Sequence, residues 1–169
     1  MAVGGSLAWR LVREAIVEID PGRAREAWVE LLELADEPAP LRSYLHDGTL
    51  YGVVDEASGR PRAAVLTIDQ PDGSAELRAV AVAEHEQGTG LGSWLVAEVC
   101  DRLRTRGIRR VVVGTATSGV RQLAFYQRLG FRLDRIERDF FTAEKGYPAG
   151  LSENGIPVRD MAWMDRELE

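Results

Sequence analysis

The residues best suited to chemistry begin with a glycine loop. The run Val80-Ala81-Val82-Ala83-Glu84-His85-Glu86-Gln87-Gly88-Thr89-Gly90-Leu91-Gly92 passes from an apolar stretch into three closely spaced glycines and then into a helical pattern. The first amides of a helix have no intrahelical partner, and the helix dipole adds positive potential around them. Gly88, Gly90 and Gly92 let the backbone curl there and let a ligand come close. Such a place takes an anion, and a pyrophosphate is its natural occupant. Two phosphate loops are excluded. No Gly-Lys-Ser/Thr ending is present, and the spacing is Gly-x-Gly-x-Gly where the dinucleotide fingerprint needs Gly-x-Gly-x-x-Gly.

The spacing that does fit is Gln/Arg-x-x-Gly-x-Gly/Ala, here Gln87 to Gly92. A second segment follows in order, Gln122-Leu123-Ala124-Phe125-Tyr126-Gln127-Arg128-Leu129-Gly130-Phe131, with the pattern Phe-Tyr-x-x-x-Gly-Phe. With both, the sequence resembles the GNAT acetyltransferase family over residues 50–138, and its tail resembles a small bacterial subgroup of unassigned substrate. The resemblance implies acetyl-CoA as cosubstrate, no metal, and an N-acetyltransferase acting on an amine. It implies that Gln87, Gly88, Thr89, Gly90, Leu91, Gly92 and Ser93 hold the pyrophosphate, and that Val80, Ala81 and Val82 offer backbone groups to the pantetheine arm. Gln122 and Tyr126 fall beside that arm. Relatives often carry an asparagine in the turn before this segment; here Thr117 or Ser118 stands in its place.

The expected reaction is direct attack of a neutral amine on the thioester. Tyr126, at the family's tyrosine, is the expected proton donor to the departing thiolate. Glu76 is the expected base. It alternates with Leu77 and shares a face with Arg78, so it either lines an acceptor cleft or is a solvated edge residue. His85 is a weaker base, set among charged residues. Cys100 reads as small packing, since no base accompanies it. Trp28, Tyr44, Tyr51, Phe140, Phe141 and Tyr147 could wall an acceptor pocket or simply pack a core. The alternative function is a GNAT-fold sensor that binds acyl-CoA without chemistry.

Elements must hold these residues in place. The pattern predicts a strand over 9–13 and a helix over 21–34, capped by Asp20 and stopped by Pro38 and Pro40, then a short helix over 41–46. Strands follow over 50–55, 62–68 and 75–83, with turns at Ala57-Ser58-Gly59 and Pro71-Asp72-Gly73-Ser74. A helix over 91–105 buries Leu91, Leu95, Val99 and Leu103. A strand at 111–113, a helix over 119–129 and a strand over 131–138 come next. A loop over 140–157 and a last strand over 158–164 complete the order. Antiparallel strands first and βαβ units second make a mixed α/β fold. Its sheet is mostly antiparallel with helices on both faces, and the resemblance adds a splay at the cofactor site between the strands around 75–83 and 110–114.

The whole chain reads as one domain over 1–169, suited to its 169 residues, of which 45% are hydrophobic and 28% charged. The net charge of −6 disfavours nucleic acid, which needs a basic surface. One cysteine and two histidines offer no disulfide and no zinc site. Neither a signal peptide nor an apolar span is apparent, so a cytoplasmic protein is expected, as a monomer or homodimer.

Overall fold

Apolar alternation and glycine turns lay the first half of the chain into a meander. The computed structural model describes residues 16–169, so the strand expected over 9–13 lies outside them. β1 (Ile16–Ile19) leads into two single helical turns, α1 (Arg23–Glu26) and α2 (Val29–Leu32), and then α3 (Pro38–Tyr44). The continuous helix expected over 21–34 is thus broken at Ala27 and Trp28. Two buried side chains fix each turn separately. The Arg25 guanidinium donates to the carbonyls of Ile19, Leu45, Asp47 and Gly48, and the Trp28 ring lies where any Cβ on Gly52 would fall.

β2 (Thr49–Val54), β3 (Pro61–Asp69) and β4 (Ala75–Val82) follow as antiparallel neighbours. The β3–β4 register slips where Thr67 faces Leu77 and Leu66 faces Ala79, which makes Arg78 a bulge. The bulge reverses the strand's parity. Ala75 and Leu77 face one core before it; after it Val80 and Val82 face that core, while Ala79 and Ala81 face the other.

α4 (Leu91–Thr105) has the bounds that its leucine stripe predicts, with Leu91, Leu95, Val99 and Leu103 all buried. β5 (Arg110–Ala116), α5 (Val120–Arg128) and β6 (Arg132–Glu137) follow. The stretch expected as loop contains a small hairpin, β7 (Ser152–Glu153) with β8 (Ile156–Pro157), turned at Asn154 and Gly155, both with positive φ. β9 (Met161–Glu167) begins later than expected, because residues 158–160 bond elsewhere: Val158 to Leu151, Arg159 to Phe141 and Asp160 to Thr117.

The main sheet runs β1-β2-β3-β4-β5-β9-β6, and only β4 and β5 pair in parallel. It is the mixed, mostly antiparallel sheet the pattern predicts. Its two faces carry separate cores, one under α4 and α5, the other under α1–α3. Among the described residues no helix is long and apolar enough to cross a membrane.

Candidate active site

The site is made where β4 and β5 part. They pair only at Ala75 with Val111 and Glu76 with Val112. From Leu77 onward β4 keeps β3 on one side and has no strand on the other among the described residues. Backbone groups on that edge are left for another partner. The gap opens into a cleft of about 390 Å³ lined by β4 from Glu76 to Val80, by Gly114, Thr115 and Ala116 of β5, and by Tyr126 and Gln122 of α5.

At the far end of β4 the chain makes a 3-10 turn, Glu84–Glu86, and enters the glycine loop. Gly88 and Gly90 have φ of 77° and 93°, a region that favours glycine. Gly92 lies so near β4 that a Cβ there would sit 2.9 Å from Val82 Cγ2, so the start of α4 abuts the strand. The Gln87 side chain reaches back and donates to the Val82 carbonyl at 3.1 Å. The amides of Gly88, Gly90, Gly92 and Ser93 donate to no backbone acceptor among the described residues, whereas Trp94 already bonds Gly90. That is the anion-binding arrangement of a helix N-terminus.

Tyr126 is buried in α5 with its ring edge-on to Phe125 and Phe131 at 5.1 and 5.7 Å. Its hydroxyl forms no hydrogen bond among the described residues, yet the side chain lines the cleft. Burial pushes the phenol well above its usual value, so it stays protonated at neutral pH.

Glu76 is buried at 8% exposure and lines the cleft, so it is no solvated edge residue. Its carboxylate accepts from Arg78 Nη1 at 3.1 Å and Gln70 Nε2 at 3.2 Å. The Arg78 guanidinium in turn sits 4.6 Å over the Tyr44 ring.

The structure therefore brings Glu76, Val80, Gln122 and Tyr126 to one cleft. It places Ala81, Val82 and the loop from Gln87 to Ser93 beyond the cleft lining, at the end of the same strand. Thr117 is tied by its amide to the Asp160 carbonyl at 2.9 Å and is not in the cleft lining. Ser118 is wholly buried, its hydroxyl has no partner among the described residues, and its carbonyl accepts from Asn154 at 3.0 Å. Its side chain presents nothing at the cleft surface. His85 is exposed on the 3-10 turn, away from the cleft lining. Burial raises the Cys100 thiol to about 11, which leaves it inert packing. Among the described residues no group of three His, Cys, Asp or Glu side chains could hold a metal.

Residues that no motif marked complete the cleft. Phe140, Phe141 and Tyr147 wall it, while Trp28 and Tyr51 belong to the cores. Asp36 accepts from the Tyr44 hydroxyl at 2.8 Å, and burial together with its charge raises the Tyr147 phenol, so one carboxylate faces both α3 and the segment before the small hairpin. An isolated aspartate between two helices carries no sequence signal for such a role.

Comparison with known proteins agrees with this geometry. The model of the acetyltransferase (GNAT) family matches residues 9–131. YvbK of Bacillus subtilis (strain 168), an uncharacterized N-acetyltransferase, is 35% identical over 142 residues, or 82% of this chain and 88% of its own. Among solved structures, an IAA acetyltransferase from Bacillus cereus ATCC 14579 superposes with a TM-score of 0.79 at 34% identity, covering 90% of this chain and 98% of that one. A GNAT family acetyltransferase from Elizabethkingia anophelis with acetyl-CoA bound gives 0.79 at 29% identity, covering 92% and 100%.

Proposed function

Since the chain belongs to the GNAT family of acetyltransferases, we propose that it transfers the acetyl group of acetyl-CoA to a primary amine, by direct attack of the amine on the thioester. The observation that carries this reading is the parting of β4 and β5 after two residues, with a cleft and a buried tyrosine on one side and free helix amides at the strand's end.

Bound acetyl-CoA supplies an acetyl group activated as a thioester; the chain does the rest. The loop from Gln87 to Ser93 holds the diphosphate through its unpaired amides. The free edge of β4 at Val80, Ala81 and Val82 pairs with the amides of the pantetheine arm, and Gln122 and Thr117 border it. Glu76 receives the amine's proton, directly or through a water. Arg78 and Gln70 fix the carboxylate's orientation for that task. A backbone N–H near Val82 donates to the carbonyl oxygen as it gains charge. Tyr126, kept protonated by burial, donates to the departing sulfur.

Incubation with acetyl-CoA and a broad panel of primary amines tests the proposal. Free thiol release matched by acetylated amine is expected. A protein that binds coenzyme A by calorimetry and releases no thiol with any amine would overturn it.

A further inference from the structure

We infer that the acceptor is a small amine carrying a second positive charge and no carboxylate, an inference that rests on the acetyl-transfer reading above. Five carboxylates line the cleft, from Glu33, Asp36, Glu37, Glu76 and Glu153, against one cation, Arg78, among the described residues. That cation is already matched. Arg78 is 3.1 Å from Glu76 and stacked on Tyr44, so an acceptor's own carboxylate finds no free positive partner in the lining.

The carboxylates, by contrast, are not all occupied. Asp36 serves two tyrosines and Glu153 accepts from Gln122 at 3.1 Å. Glu33 and Glu37, at the rim between α2 and α3, take part in no side-chain hydrogen bond or ion pair among the described residues. A cleft lined by one sign of charge concentrates ligands of the other sign.

Two observations independent of charge mark the cleft as a ligand site. The Tyr126 side chain, only 7% exposed, lines the cleft, and its hydroxyl has no hydrogen-bond partner among the described residues. One wall is aromatic: Phe140 and Phe141 meet edge-on at 5.1 Å, and Phe141 and Tyr147 at 4.9 Å. Ring faces beside free carboxylates suit methylenes that end in an ammonium. Lys145 lies 3.6 Å over Phe140 but pairs with Glu137 at 3.7 Å and is not in the lining.

Three amines of one chain length separate the features: pentylamine, 1,5-diaminopentane and lysine. They add, in turn, nothing, a second ammonium, and an ammonium with a carboxylate. Thiol release with saturating acetyl-CoA gives kcat/KM for each, and calorimetry on the coenzyme A-loaded protein gives affinity. Diaminopentane is expected to exceed both others by about tenfold, an advantage that shrinks as salt screens the rim. The double variant Glu33→Gln/Glu37→Gln should collapse the diamine-to-monoamine ratio, while Glu56→Gln, in the β2–β3 turn, leaves that ratio intact. Equal rates for the three amines, or a preference for lysine, overturn this inference and leave acetyl transfer standing. Tight binding of the diamine without thiol release supports the cleft's preference and overturns acetyl transfer. A diamine that neither binds nor reacts overturns the inference.

Discussion

Replacing Tyr126 by Phe removes one oxygen that bonds to nothing among the described residues. Folding stability should therefore change little. A role as proton donor is worth roughly 100-fold or more in kcat. Tyr126→Phe is thus expected to lower kcat by about that factor with coenzyme A affinity unchanged; unaltered kcat would remove Tyr126 from the chemistry. The same ring belongs to a wider pattern. All four tyrosines of the chain are buried, and burial raises each phenol above its ordinary value. The unfolded chain loses these protons near pH 10 while the folded chain keeps them, so stability present below that pH drains away above it. The loss is at most about 1.4 kcal/mol per pH unit for each tyrosine, between its unfolded and its folded value. Urea midpoints measured from pH 8 to pH 11 should hold steady and then fall, and a flat profile would contradict the burial argument. Tyr126 was legible because it stands in a motif. The link between Asp36 and Tyr147 was not, because it joins residues far apart in the chain.

Two elements show how far periodicity reaches. The apolar positions of β4 switch from Leu77 to Val80 and Val82, a break of parity already visible in the sequence, and the bulge at Arg78 is its structural form. The helix expected over 21–34 failed for the opposite reason. Its spacing is helical, but Arg25, 1% exposed and bonded to four carbonyls, and Trp28 against Gly52 override the ladder. The N-terminus of α4 was legible in full, since glycine spacing dictates both its turn and its free amides. Its electrostatics can be isolated at Gly90, whose φ of 93° burdens any replacement alike. Gly90→Asn and Gly90→Asp are nearly the same size and tolerate positive φ similarly. Only the second adds negative charge. A charge at a helix start is worth up to about 2 kcal/mol, so Gly90→Asp should bind coenzyme A roughly tenfold more weakly than Gly90→Asn. Equal affinities would deny the loop its role in holding the diphosphate.

At the scale of the molecule, the strand and helix order of the sheet from β2 onward followed from the sequence, because each hydrophobic period is local. The covering of the cleft did not, because residues 140–158 owe their path to distant partners. Tyr147 reaches Asp36, the Phe141 amide reaches Arg159, and Asn154 donates to the Ser118 carbonyl at 3.0 Å. Asn154 holds a φ of 54°, a region open to asparagine at small cost. Through Ser118 it ties the small hairpin to the turn that launches α5, so the hairpin's anchor also borders the helix that carries Tyr126. Asn154→Ala deletes the hydrogen bond and adds backbone strain, together about 2 kcal/mol. Amides in 140–158 should then exchange about thirtyfold faster. Asn154→Gly, which loses the bond but keeps the backbone at ease, should fall between. Acceptor KM should rise in the same order while coenzyme A affinity stays constant, because the glycine loop lies at the other end of β4. Wild-type exchange rates in Asn154→Ala would show that this covering segment is held by its aromatic wall alone.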